Sequence, residues 1–254
     1  MKLIYILRKY LYEILTTLVA ITVSVITFTK FFWNTQFLII IEISIYLLAL
    51  VIILYIRQKD KDLYFTTLTK RRHVEDWIGK GKFEYSKIYR CFLITNSDAG
   101  FIFSKCFLWN NYKFSFEFKI IRSCIGAVIR AINLSNYVMI QLTPDKIRPH
   151  IRVNGGWYIW EETDVKILSF DKWYKCSISC EQDFISVKIF DTKNRVFDRV
   201  WKIPQGNINF KFGNNEGKKS IIIPFPINLE YGTVGFRNWG DEAALVRNVL
   251  IEKI

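Results

Sequence analysis

Three groups of side chains in this sequence have types and spacing that could do chemistry. The first is a carboxylate cluster, Glu161, Glu162 and Asp164. Two carboxylates held on one strand face at a suitable separation do acid–base work at a glycosidic bond. Successive side chains of a strand point to opposite faces, so only Glu162 and Asp164 can share one. A solvated strand end is the reading this favours. The second group is cationic and aromatic: Arg130, Tyr137, Gln141, His150, Arg152, Arg237 and Trp239, with Trp157 and Trp160 flanking. Guanidinium forks, an amide, an imidazole and ring faces suit a polyhydroxylated or anionic ligand. The bland alternative is a solvated sheet face on which Arg stacks over rings. The third is Glu42, an acid inside a long apolar run, where such a group makes a helix contact, lines a pore or carries a proton, unless it simply reaches the interface. No P-loop, dinucleotide fingerprint, nucleophile triad or zinc spacing occurs, and no run of oxygen ligands has calcium spacing. No cofactor and no metal is therefore expected.

The second group depends on strands to assemble it. Between Asn111 and Trp157, Tyr112, Phe114, Phe116, Phe118 and Ile120 alternate with Lys113, Ser115, Glu117 and Lys119, the period of a half-buried strand. Strands are expected at Cys124–Ala131, Asn136–Thr143 and Lys146–Val153, with turn chemistry at Asn133–Ser135 and Pro144–Asp145. Parity sets Ile125, Ala127 and Ile129 against Arg130. It sets Val138, Ile140 and Leu142 against Tyr137, Met139 and Gln141, and Ile147, Ile151 and Val153 against Arg148, His150 and Arg152. Val234 and Phe236 likewise oppose Arg237 and Trp239. The expectation is that Arg130, Gln141 and Arg152 converge on one surface. Strand patterns recur from Phe83 to Lys253, including Ile88–Thr95 and Gly100–Phe107. That pattern predicts a mainly β, two-sheet antiparallel sandwich.

Ahead of this region, residues 11–33 and 37–56 form two apolar runs, each about the ~20 residues a helix needs to cross a bilayer. Lys2, Arg8 and Lys9 precede the first run, and Arg57, Lys59, Lys61 and Lys70–Arg72 follow the second. The positive-inside rule then places both termini and the β-domain in the cytoplasm, behind a two-helix transmembrane hairpin in the cell (inner) membrane. Five cysteines without metal spacing fit a reducing compartment. Thr16, Thr17, Thr22, Ser24 and Thr27 suit helix–helix contacts and a homo-oligomer through the spans. The expected organisation is 1–56 hairpin, 57–82 basic juxtamembrane connector and 83–254 β-sandwich. Within the connector, 62–78 has the apolar points of a short amphipathic helix. The net charge of +13 suits anionic partners, the lipid surface included, and carries no sign of specific nucleic-acid recognition.

Several strings, LITNSDAGFIF (93–103), IGAVIRA (125–131), NLSNYVMIQL (133–142), RPHIRVNGGW (148–157) and GTVGFRNWGDEAALVRNVLIEKI (232–254), carry a resemblance. The segment 83–254 resembles the concanavalin A-like lectin/glucanase superfamily, the jelly roll of laminin-G-type and 3-keto-disaccharide hydrolase-type domains. The resemblance implies a concave sheet that holds saccharides or other ligands. The Glu-x-Asp-x-x-Glu motif of laminarinase-like glucanases is absent. The expected function is a membrane-anchored sensor whose lectin-like domain recognises a carbohydrate-like or anionic ligand, or a partner protein. A second reading rests on another likeness. Short paired spans ahead of a β-rich sensor resemble the membrane-disrupting effectors of bacterial antiviral signalling, whose messenger would be a nucleotide. A third is a glycoside-acting hydrolase. One jelly roll hosts many functions, so fold alone does not choose among them.

Overall fold

The structure is a computed structural model that describes residues 17, 19–20, 43–51, 62–68, 75–166, 168–213 and 220–254. The chain divides into two compact units, Met1–Tyr64 and Phe65–Ile254. In the first unit residues 43–51 are helical, with Ile43, Leu47, Leu48, Leu50 and Val51 exposed. Among the described residues no helix is long and apolar enough to cross a membrane. Glu42 and most of both apolar runs lie outside the described residues.

The described strands are β1 (Leu63–Thr66), β2 (Trp77–Ser86), β3 (Cys91–Phe103), β4 (Tyr112–Arg122), β5 (Ile125–Asn133), β6 (Asn136–Leu142), β7 (Lys146–Val153) and β8 (Gly156–Ile159). They continue with β9 (Thr163–Asp164), β10 (Trp173–Glu181), β11 (Phe184–Asp191), β12 (Asn194–Lys202), β13 (Asn207–Gly213), β14 (Ser220–Pro226), β15 (Thr233–Arg237) and β16 (Ala243–Lys253). Residues 63–66 and 77–78 are therefore strand, where an amphipathic helix was expected. Trp77 pairs with Phe103 and stacks 5.6 Å from Phe236, so its burial against a sheet outweighs the local helical pattern. The two segments expected at 88–95 and 100–107 are one long strand, β3.

Hydrogen bonding runs β12-β11-β10-β4-β16-β3-β15-β5-β6-β7-β8-β13-β14. The path folds into two layers at β3. Its first half, Phe92–Thr95, pairs with β16, and its second, Phe101–Ile102, pairs with β15. Between them Asn96 (φ 44°) and Gly100 (φ 100°) take left-handed conformations that turn the strand from one sheet into the other. We call β15-β5-β6-β7-β8-β13-β14 the meander sheet and β12-β11-β10-β4-β16 the opposite sheet. Phe236 of the meander sheet lies 5.4 Å from Phe114 and 5.0 Å from Phe116 of the opposite sheet, across the core. Ala127, Ile129, Val138, Ile140 and Ile151 are buried on one side of that core, and Phe118, Cys176, Ile178, Val187 and Ile189 on the other. This is the mainly β, two-sheet antiparallel sandwich that the alternation predicts.

The turns use the residues that polar turn chemistry requires. The Asn133 side chain accepts from the Ser135 N–H at 2.8 Å, and the Thr143 hydroxyl accepts from the Lys146 N–H at 2.8 Å. All five cysteines are buried and free. Burial pushes the Cys91 thiol up to about 11 and Cys106 up to about 12, which makes them poor nucleophiles at neutral pH.

Candidate functional site

The outward face of the meander sheet carries most of the cationic and aromatic set. Asn154 (φ 49°) and Gly155 (φ 85°) form the two-residue turn between β7 and β8, and both central positions need positive φ. That turn closes β7 on β8 so that Arg152 stands opposite Trp157. Across β6, Tyr137 stands opposite Arg152. Tyr137, Arg152 and Trp157 thus form one row perpendicular to the strands. The Arg152 Nη1 donates to the Tyr137 hydroxyl at 3.1 Å. The Arg152 guanidinium lies 5.1 Å from the Trp157 ring centroid and 5.7 Å from that of Tyr137.

Arg237 reaches the same indole from β15, its guanidinium 4.7 Å from the centroid. Its strand end is pinned by Asn238, which donates through Nδ2 to the Cys124 carbonyl at 2.7 Å and through its N–H to the Ser97 hydroxyl at 2.8 Å. Gly126 stands opposite both Arg237 and Gln141. A Cβ there would come within 2.5 Å of the Met139 sulfur and 2.9 Å of the Arg237 carbonyl, so the position needs glycine. Trp157 is half-buried and meets Tyr137 and His150 edge-on, at 5.9 Å and 5.8 Å.

His150 is buried beside these cations. Burial, followed by the Arg148 charge, brings its imidazole down to about 4. Its Nδ1 lies 3.1 Å from the Arg148 carbonyl, which can only accept. The proton of the neutral ring therefore sits on Nδ1, and Nε2 presents a bare acceptor. Gln141 donates to the Cys124 sulfur at 3.2 Å, while its Oε1 is buried without a partner among the described residues. The arrangement offers guanidinium donors and a ring face on one surface, with His150 and the Gln141 oxygen buried beside them. Such a set binds carboxylate, sulfate or phosphate oxygens and can also engage hydroxyls.

Arg130 is not on this surface. The pairing register between β5 and β15 shifts by one residue, with Val128 opposite Gly235 and Ala131 opposite Thr233, and Arg130 takes φ 53°. The bulge turns its side chain into the sandwich, where it is fully buried. Its N–H donates to the Tyr112 hydroxyl at 2.8 Å, and its Nη2 donates to the Gln182 carbonyl. The expected convergence of Arg130 with Gln141 and Arg152 is thereby corrected: strict period-two counting fails at a bulge. Trp239 lies past the end of β15, exposed, with its N–H donating to the Glu242 carboxylate at 2.6 Å.

Sequence reasoning left several contributors out of the set. Arg148 is opposite Gln141 and lies 3.8 Å from Glu162. Ile102, Val128, Ala131 and Met139 form a small apolar cluster under the site with Tyr137, and Phe107, Leu134 and Trp157 pack against it. Arg148 and Met139 have the right parity, whereas Phe107 and Leu134 sit in turns where parity gives no signal. Glu162 accepts from Lys146 at 2.8 Å, which holds its carboxyl below the usual range, and Glu161 pairs with Arg199. Glu162 is thus kept as an anion, the opposite of a general acid. Among the described residues no group of three His, Cys, Asp or Glu could hold a metal ion.

No family model and no curated protein matches the chain. Solved structures do. A protein of unknown function with a galectin-like fold from Bacillus subtilis matches with a TM-score of 0.51 at 11% identity, covering 75% of this chain and 94% of that one. A mutant of the GH43 protein BlXynB from Bacillus licheniformis matches with a TM-score of 0.50 at 11% identity, covering 75% of this chain and 39% of that one. The carbohydrate-binding module CBM66 from Bacillus subtilis gives a TM-score of 0.49 at 15% identity, covering 70% of this chain and 96% of the module. The likeness is one of fold. It assigns the sandwich to the galectin-like, concanavalin A-like architecture and leaves the ligand to be argued from the side chains.

Proposed function

We propose that this chain is a lectin-like binding protein that takes an anionic or polyhydroxylated ligand on the outer face of the meander sheet. The observation that carries the reading is the pair of guanidiniums, Arg152 and Arg237, over the one indole of Trp157. Stacking holds both forks in place before a ligand arrives, so less side-chain entropy is lost on binding. His150 and Gln141 pack beside the two cations as neutral groups, so the positive charge of the forks is not offset there. Acidic oligosaccharides offer anionic groups to the two forks and a ring face to the indole.

The same reading includes membrane attachment through the apolar runs at 11–33 and 37–56, with both termini and the sandwich on the cytoplasmic side. The exposed apolar side chains of 43–51 and the cations flanking the runs support it. Protease added outside intact cells then leaves the C-terminal region uncut, and trimming of that region overturns the orientation.

The binding test uses the full-length chain in detergent micelles and a heparin-derived tetrasaccharide, with chitotetraose as the uncharged comparison. The acidic probe is expected to bind, with an affinity that falls as salt rises. Arg152→Ala combined with Arg237→Ala is expected to lower the affinity at least tenfold. Equal binding by the double variant and the native chain refutes the proposal.

A further inference from the structure

We propose a second binding site on the outward face of the opposite sheet, a polar trough that takes a neutral oligosaccharide. The alternation on β10 and β11 buries Ile178, Cys180, Ile185 and Val187 in the core. Ser177, Ser179 and Ser186 therefore point away from it. Register places Ser115 opposite Ser177 and Ser179 opposite Ser186, with Val200 next in line on β12. The Ser115 and Ser177 hydroxyls are 3.0 Å apart and hydrogen-bond to each other. Ser115 and Ser177 are buried, and Ser179 and Ser186, on two adjacent strands, make a low floor. Over that floor lies an open cavity of about 770 Å³ that runs from Asn111 and Ile254 across Ser179 and Ser186 to Val200. Adjacent strands lie about 4.8 Å apart, so crossing from β16 to β12 takes roughly 19 Å. That is the reach of a short oligosaccharide rather than of a single sugar.

The lining sets the ligand class. Phe184 is 47% exposed and borders the cavity, a ring face at the rim, with the Lys202 ammonium 5.9 Å from its centroid. Asn111, Gln182 and the serines offer both donors and acceptors, as sugar hydroxyls do. Among the described residues no arginine or lysine lines the cavity, and the carboxylate of Glu181 does, which repels anions. Gln182, at the β10–β11 hairpin, takes φ 50° and is held by its backbone. Its N–H donates to the Asn111 side chain at 2.9 Å, and its carbonyl accepts from buried Arg130. The arginine that the bulge removes from the meander face thus braces the rim of this second one.

The test is amide hydrogen exchange on the full-length chain in micelles with cellotetraose, xylotetraose and mannotetraose at millimolar concentration. At least one is expected to slow exchange across 179–186 and at 200 while leaving 137–157 unchanged. Ser186→Trp fills the trough and is expected to weaken that binding at least tenfold. Phe184→Ala, on the exposed rim, is expected to weaken it about fivefold and guards against misfolding of the bulkier variant. The proposal is overturned if none of the three sugars protects 179–186, if protection falls on 137–157 instead, or if Phe184→Ala binds as tightly as the native chain. These outcomes are independent of the acidic probe at Trp157, so the two sites stand or fall separately.

Discussion

The two outward faces of this sandwich are built from the same period-two alternation yet are opposite in character. On the meander sheet the outward positions carry Tyr137, Arg148, His150, Arg152 and Trp157, long or ring-bearing groups that stack on one another. On the opposite sheet the outward positions carry Ser115, Ser177, Ser179 and Ser186, of which the first two are buried and the last two line a trough. The first face is filled by its own side chains and presents charge. The second is open along Ser179, Ser186 and Val200 and presents hydroxyls there. Strand geometry therefore fixes where a surface group points, and side-chain length decides whether a face becomes a packed array or a groove.

The comparison is open to breakage first at Trp157. Trp157→Ala removes the ring that contacts two guanidiniums, Tyr137 and His150, and is expected to cost about 3 kcal/mol in urea unfolding. Ser186→Ala in the trough is expected to change stability by less than about 0.5 kcal/mol. Similar costs for the two variants would mean that the meander face is not the packed one.

Acid is the next discriminator. His150 takes a proton near 6.5 when the chain is unfolded and near about 4 when it is folded. Between those values the unfolded chain holds the extra proton, so acid favours unfolding. Stability is complete above about pH 6.5 and is lost progressively as pH falls towards 4, by about 2–3 kcal/mol. Denaturation midpoints from pH 7 to 4 measure this, and His150→Gln is expected to flatten that part of the profile. An unchanged slope in the variant assigns the acid sensitivity elsewhere.

Smaller effects sharpen the contrast. On the opposite sheet Arg247 lies 4.0 Å from the Trp173 ring centroid and donates to Glu117 at 2.8 Å. Arg247→Ala is expected to cost about 1 kcal/mol without altering binding of the heparin tetrasaccharide. Glu162→Gln removes the acid that pairs with Lys146 and Arg148 and is expected to tighten that same probe about twofold. Looser binding would place Glu162 in the ligand set.

The β-sandwich was legible because alternation in segments such as Tyr112–Ile120 is a direct image of one dry and one wet face. The meander strands and their turns at Asn133–Ser135 and Pro144–Asp145 could be read for the same reason. The role of residues 62–78 could not, because Trp77 joins a sheet through partners that lie far along the chain. Of the candidate site, Tyr137, Gln141, His150 and Arg152 share a surface by parity, and Arg237 joins them through pairing of β15 with β5. Trp239 falls beyond the last paired residue.

What the sequence by itself determined is the type of architecture and the inward or outward sense of most strand residues, since both follow from local periodicity and turn chemistry. Tertiary structure alone decided the fate of Arg130. A one-residue shift of register against β15 turned it from the surface into the core, and no local pattern records a bulge whose cause is the pairing of strands about a hundred residues apart. It also decided that Ser115 of β4 meets Ser177 of β10, because neighbours in a sheet are set by long-range hydrogen bonds rather than by order along the chain.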